Sequence, residues 1–354
     1  MGERKKFKFD VIIGNPPYQE ETIGDNKGFA PPVYHKFLDQ AYDISNIVEM
    51  IHPGRFLFDA GSTPKDWNQK MLQDRHLKVL FFEQNSSKVF SGTDIKGGVA
   101  VTYHDVSKTF EPIDTYTIYP ELNSVLHKVM KIGLNPFSSI VYAPESYKFT
   151  QKMHRDYPDA ESRLSKGHKY DLKSNVFDTL NFIFKDQKPD DGNQYIGIYG
   201  LSNKKRTKRY IRADYIKNET NLNAWKVFVP KANGSGAIGE VLSTPLIGEP
   251  LIGEPLIGNT QTFISIGNFK TQEEAAACNK YIKTRFARAM LGILKITQDN
   301  TKSKWEKVPL QDFTSHSDID WSQSIAAIDR QLYKKYGLSQ EEIDFIESHV
   351  KEMV

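Results

Sequence analysis

Four residues near the start of the chain carry the sharpest chemistry: Asn15-Pro16-Pro17-Tyr18. They follow an apolar run, Phe9 to Gly14, that reads as a short buried strand ending in a Gly/Pro turn. Such a strand delivers its next residues to the carboxyl edge of a sheet, where open α/β proteins place ligands. The two prolines stiffen the turn and remove two backbone donors, leaving carbonyls free to accept. The Asn15 side-chain oxygen and the Pro16 carbonyl can both accept from an exocyclic amino group. Both draw electron density onto that nitrogen and hold its lone pair toward an electrophile. The Tyr18 ring can stack on an unpaired base, a contact worth roughly 1–3 kcal/mol.

A second pattern is electrostatic. Lys204-Lys205-Arg206-Thr207-Lys208-Arg209-Tyr210-Ile211-Arg212 holds six cations in nine residues. Phosphate neutralisation by Lys and Arg supplies much of the affinity for DNA, and an aromatic among them can stack. An isolated run of this kind reads as a solvated loop or hairpin; beside the Asn-Pro-Pro-Tyr motif it reads as a DNA contact, with Lys226, Lys231 and Asn233 as further candidates. Gly234 to Gly239 formally matches a phosphate-binding glycine loop, but Pro245 and the prolines after it forbid a long following helix, so it reads as a recognition loop. The nine histidines show no metal spacing, and no nuclease set is recognisable. The single cysteine, Cys278, excludes an internal disulfide framework and a cysteine zinc site, and reads as a small core residue.

The elements that must position these groups read as α/β. Helices are predicted over 32–43 and 64–74, and strands over 47–51, 79–83 and 97–104. That alternation suggests a parallel sheet with crossover helices. Phe81, Phe82 and Phe90 are expected in its core, with an aromatic near residue 90 as a candidate wall for a base pocket. A helix over 122–132 joins this part to an irregular stretch over 135–315. There the clear elements are strands over 224–230 and 262–266 and one long helix over 273–294. The tail from 322 is predicted helical, with Ser339 and Glu342 forming a capping box. Residues 245–259 repeat a five-residue unit, PLIGE-PLIGE-PLIGN, and read as an expanded loop of turns or short extended pieces.

With 354 residues the chain can hold about two domains. Its 39% hydrophobic and 26% charged residues exclude a wholly disordered or fibrous chain. No apolar run reaches the length of a membrane span, and no signal peptide is recognisable, so a cytoplasmic location is expected. The net charge of +3 is too mild to imply nucleic-acid binding by itself.

The run Asp10 to Tyr18 resembles the catalytic motif of adenine-specific DNA methyltransferases. Tyr34-His35-Lys36-Phe37, His52-Pro53-Gly54-Arg55-Phe56 and Phe90 to Val99 resemble the following segments of type IIG-like restriction–modification enzymes, the last of them near the target-base pocket. Trp225 to Glu240, Gln261-Thr262-Phe263 and Tyr336 to Met353 resemble their recognition region and C-terminal helices. The resemblance implies methyl transfer from S-adenosylmethionine to the amino group of a flipped adenine in double-stranded DNA. Asn15, Pro16, Pro17 and Tyr18 would be catalytic, and Asp10 would face the cofactor. Lys204, Lys205, Arg206, Lys208, Arg209, Tyr210 and Arg212 would contact DNA.

One departure stands out. The family's glycine-rich cofactor loop lies well upstream of its catalytic motif, and only 14 residues precede Asn15. The expected organisation is therefore a partial Rossmann-like catalytic sheet over 1–130 without the cofactor loop, an α+β target-recognition domain over 135–315, and a helical segment over 320–354. A second chain carrying the cofactor half or a nuclease is an expected partner. The alternative is a DNA-binding recognition module without catalysis of its own. Methylation of RNA or protein is a third reading, since the motif serves those substrates too.

Overall fold

The structure is a computed structural model that describes residues 9–20, 30–59, 61–93, 95, 97–217, 221–233, 247–295 and 299–353. The chain divides into two compact units, Met1–Asn123 and Ser124–Val354. The Gly234–Gly239 run and the first residues of the repeat, Pro245 and Leu246, lie outside the described residues.

The first unit is a four-stranded mixed sheet with two main helices. Its elements are β1 (Phe9–Gly14), α1 (Tyr34–Ile44), β2 (Ser45–Pro53), α2 (Lys65–Gln73), β3 (Leu77–Glu83) and β4 (Val99–Asp105). The strand order is β1-β2-β4-β3. β1 and β2 run parallel, with Val11 opposite Ile47 and Gly14 opposite Met50. β4 is antiparallel to both β2 and β3. The expected all-parallel sheet is thus corrected at one strand. Among the described residues only a short 3₁₀ turn, Ser86–Lys88, lies between β3 and β4, too short for a crossover, and the chain returns antiparallel with β4 between β2 and β3. A crossover helix is what a parallel pair would have required.

One face of this sheet is well covered. Tyr34, Leu38 and Ala41 of α1 and Trp67, Met71 and Leu72 of α2 are buried, and they pack with Val48, Met50, Leu77 and Ala100. Each large apolar side chain so buried contributes about 1.5–3 kcal/mol. The outer edge contrasts with this. Among the described residues β1 pairs only with β2, and Phe9, Val11 and Ile13 on one face of it are 53%, 48% and 76% exposed. Parallel strands are ordinarily buried on both faces, so β1 has the character of an interior strand left at an edge. Phe81 is also exposed, not core, because it follows a bulge in the β3–β4 register. Phe82 packs on the core and Phe90 is half-buried.

In the second unit the further strands are β5 (Val141–Tyr142), β6 (Lys148–Phe149), β7 (Tyr195–Ser202), β8 (Lys205–Arg212), β9 (Ile216–Lys217), β10 (Trp225–Pro230), β11 (Leu251–Gly253), β12 (Ile257–Asn259) and β13 (Phe263–Phe269). They form a sheet β11-β10-β13-β5, a sheet β12-β7-β8 and the pair β6-β9. The helices are α3 (Pro120–Ile132), which begins in the first unit, then α4 (Gln151–Asp156), α5 (Val176–Thr179), α6 (Gln272–Lys283), α7 (Arg285–Gly292), α8 (Ile325–Lys335) and α9 (Gln340–His349). The chain is therefore mixed α/β, as expected from sequence.

Three details refine the sequence reading. The single long helix expected over 273–294 is two helices, broken at Thr284. Thr284 is extended (φ −60°, ψ 148°), and its hydroxyl accepts from the Ala287 N–H to cap α7. The Asp329 carboxylate accepts from the next two free donors, Arg285 N–H and Phe286 N–H, at 3.0 and 2.9 Å. The capping box at Ser339 and Glu342 forms as expected. The described repeat copies are more than a loop: Leu251–Gly253 joins β10 and Ile257–Asn259 joins β7, in different sheets. A turn at residues 255–256, with Leu256 at φ 65°, separates the two pieces. Gly253 is needed where it sits, since a Cβ there would lie 2.4 Å from the Phe228 ring.

Candidate functional site

The motif leaves β1 at the carboxyl end of the parallel pair. Asn15 and Pro17 are exposed, Pro16 is buried and Tyr18 is half-buried. The chain then folds back on the residues that lead into α1. The Val33 N–H donates to the Tyr18 carbonyl and the Glu20 N–H to the Pro31 carbonyl, both at 3.0 Å. This short antiparallel bridge fixes the exit of the motif. Neither the Asn15 side chain nor the Pro16 carbonyl has a hydrogen-bond partner among the described residues; Asn15 is at the surface, whereas Pro16 is buried. The Tyr18 hydroxyl is shielded and unpartnered among the described residues. Burial raises its pKa. Tyr18 therefore presents a flat neutral ring.

A cavity of about 150 Å³ opens beside Tyr18, walled also by Gln19, Tyr34, Arg55, Thr63 and Ile95. Asn15, Pro16 and Pro17 are not among its lining residues. Its walls are rigidly built. Tyr34 is buried and stacks on His52, with ring centroids 5.6 Å apart and planes 4° apart. Burial holds the Tyr34 phenol up at about 12. The His52 Nδ1–H donates to the Pro53 carbonyl at 3.1 Å, which leaves Nε2 to accept from the Thr102 hydroxyl at 2.8 Å. Full burial pushes His52 down to about 4, so the ring is neutral near pH 7.

Arg55 is the one cation of the wall among the described residues, and its stem passes two glycines with positive φ, Gly61 (+89°) and Gly97 (+87°). A Cβ on Gly97 would lie 2.3 Å from Arg55 Cγ. The glycines therefore make the room that Arg55 occupies. Tyr34, Arg55 and Ile95 lie in segments singled out from sequence, but their convergence on Tyr18 was not foreseen. The Gly97-Gly98 pair after the strand end His52-Pro53-Gly54-Arg55 was the available signal. Asp94 and Lys96, in the same segment, lie outside the described residues.

Asp10 is exposed on β1, away from this cavity. The cavity is well below the roughly 300–1,000 Å³ that accommodates a drug-sized ligand. A flat base fits a space of this size.

The basic run forms β8 of a hairpin. Asn203 and Lys204 are its two turn residues, both with positive φ (49° and 64°), the geometry of a tight type I′ turn. Alternation then sorts the side chains. Ile211 is buried in the core on one face, and Arg209 shares that face, over the Phe177 ring. Arg209 is paired with Asp186 at 2.7 Å, and Arg212 is gripped by both oxygens of Asp214 at 3.1 and 2.6 Å. Lys204, Lys205 and Lys208 are exposed and have no carboxylate partner among the described residues. Lys208 lies 5.6 Å over the Tyr210 ring. Lys226 is removed from the surface altogether: it is fully buried, and its ammonium donates to the carbonyls of Leu222, Glu254 and Ile257 at 3.1, 3.1 and 2.9 Å.

Among the described residues no helix is long and apolar enough to cross a membrane. Residues 2–90 match the family model described as "Eco57I restriction-modification methylase". An "uncharacterized adenine-specific methylase" of Mycoplasma pneumoniae is 31% identical over 95 residues, a match that takes in 26% of this chain and 22% of that protein. Among solved structures, the type IIG restriction endonuclease BpuSI is 10% identical, over 96% of this chain and 54% of that one, with a TM-score of 0.32. The type IIL restriction-modification enzyme MmeI, solved in complex with DNA, is 9% identical over 95% of this chain and 56% of that one, with a TM-score of 0.31. The chain thus spans about a fifth of the curated relative's length and about half of each solved structure. By the family match, the motif, its strand and most of the cavity wall fall in a segment similar to the Eco57I restriction-modification methylases.

Proposed function

We propose that this chain is the catalytic-strand and target-recognition part of an adenine-specific DNA methyltransferase of a restriction–modification system. The observation that carries this reading is the pair of unpartnered acceptors on Asn15 and Pro16, three and two residues before the ring of Tyr18, which walls a cavity of single-ring size. A flipped adenine stacks on Tyr18. Its exocyclic amino group donates one hydrogen to the Asn15 side-chain oxygen and one to the Pro16 carbonyl. Two acceptors on one nitrogen turn its lone pair away from the ring system and raise its nucleophilicity. No covalent intermediate with the protein is required. The neutral His52 and the buried Tyr34 take no part in proton transfer and hold the wall in place.

The methyl donor implied by the family is S-adenosylmethionine, and the described residues do not fit it. The cavity beside Tyr18 is small, and Asp10 is exposed on an edge strand that pairs with no further strand among the described residues. The open β1 edge, with Phe9, Val11 and Ile13 bare, supports a second α/β unit docking there to supply the cofactor site. Lys204, Lys205 and Lys208 are the cations of the hairpin left open for DNA phosphates, whereas Arg209 and Arg212 are held by carboxylates.

The same misfit favours one second reading: a recognition module that binds DNA and transfers no methyl group by itself. Adenine methylation of host DNA in cells that carry the gene with its neighbours separates them, since any cofactor-bearing partner is present there: the first reading expects methylation that depends on this chain, and the second expects none. Asn15→Ala tests the chemistry. The variant is expected to lose methylation by a factor of at least 10² while DNA binding stays within about threefold, the range of a lost transition-state contact. Unchanged methylation in Asn15→Ala removes the mechanism.

A further inference from the structure

A second cavity lies in the recognition unit, and nothing above uses it. It measures about 360 Å³ and is walled by Ser174, Arg206, Lys231, Gln261, Thr262 and Phe263, among others. Among the described residues its polar lining is therefore two cations, one amide and two hydroxyls, with no carboxylate. Unlike Arg209 and Arg212, Arg206 has no carboxylate partner among the described residues. Its Nη1 donates to the Glu249 carbonyl at 2.8 Å, and its guanidinium lies 5.6 Å from the centre of the Phe263 ring. Phe263 is fully buried and paired with Pro230 in the β10–β13 ladder, so that ring is fixed. The Glu249 carboxylate is turned to Lys283 at 2.6 Å and does not neutralise Arg206. Lys231 is fixed at its backbone, donating to the Thr262 carbonyl at 2.9 Å and accepting from Asn300 at 2.7 Å.

An exposed lysine on a flexible stem is a point charge and suits a phosphate. An arginine held by a carbonyl and an aromatic ring is an oriented fork of donors, which suits a planar acceptor pair. In duplex DNA that pair is O6 and N7 of guanine, presented in the major groove. We infer that this notch reads one base pair of the target duplex, with Arg206 as the residue that selects guanine and Gln261 and Lys231 as its polar neighbours. The inference rests on the DNA-methyltransferase reading and deepens it: the lysines of the hairpin hold the backbone, and Arg206 sets part of the sequence.

The test is selection of bound duplexes from a pool of synthetic DNA with a randomised central stretch, using the full chain, followed by sequencing. The wild type is expected to enrich a motif containing one guanine that Arg206→Lys and Arg206→Ala no longer select. Discrimination at that position should fall by about 5- to 150-fold, the worth of a bidentate base contact, while the other positions of the motif keep their preferences. Lys204→Ala is expected to weaken all sequences alike. Arg206→Lys keeps the charge and most of the stem, so it carries the test if the alanine variant does not fold. If both Arg206 variants enrich the wild-type motif with the same guanine preference, the assignment of Arg206 falls and the methyltransferase reading stands. If the wild type binds no duplex, both fall.

Discussion

At the scale of residues, the useful part of Tyr18 is its ring. Its hydroxyl meets no partner among the described residues, and burial keeps it protonated. Tyr18→Phe should therefore leave methylation within about threefold, whereas Tyr18→Ala should lose roughly 1–3 kcal/mol of base stacking, or about 5- to 150-fold. Single-turnover methylation of duplex DNA measures both, and equal losses in the two variants would show that the hydroxyl acts after all. Asn15 to Tyr18 were legible in sequence because their chemistry is local: four consecutive residues after an apolar strand. Tyr34, Arg55 and Thr63 meet Tyr18 only through tertiary structure, so no spacing along the chain announces them. The basic run was legible as charge but not as geometry. Which of its cations are open depends on Asp186 and Asp214, and the latter sits beyond the run's end.

At the scale of elements, most strands and helices follow from periodicity, and the misses have specific causes. The direction of β4 depends on what lies between β3 and β4, not on its own pattern. The break at Thr284 depends on Asp329, forty-five residues away in sequence. Thr284→Ala removes the cap of α7 and should cost about 1 kcal/mol, within the usual 0.5–2 kcal/mol, in urea denaturation. Lys226 makes a sharper prediction. It ties β10 to the second and third repeat copies through carbonyls of Glu254 and Ile257. Burial pushes its ammonium down to about 7. In the unfolded chain it titrates near 10.4. Between those values the unfolded chain holds a proton that the folded one has released, so stability rises with pH across about 7 to 10. The slope from this group is at most about 1.4 kcal/mol per pH unit. Lys226→Met should lack that part of the slope. Denaturation curves at three pH values in this window compare the two, and identical slopes would contradict the assignment.

At the scale of the whole chain, a net charge of +3 says little, yet three lysines with no carboxylate partner among the described residues sit together at one hairpin. Removing one of them, Lys204→Ala, should reduce the slope of log K against log salt by about 1 in fluorescence anisotropy with a labelled duplex. An unchanged slope would place the phosphate contacts elsewhere. The first unit carries a sheet edge with the composition of an interior strand, and this is where a cofactor-bearing unit is expected to join. The most direct test of the central claim is made in the cell, where any such partner is present. Adenine methylation of host DNA would be mapped by sequencing in cells carrying the wild-type gene and in cells carrying Asn15→Ala. N6-methyladenine at one defined motif in the wild type, lost in the variant, is the predicted result. The same motif methylated equally in both strains would contradict the account.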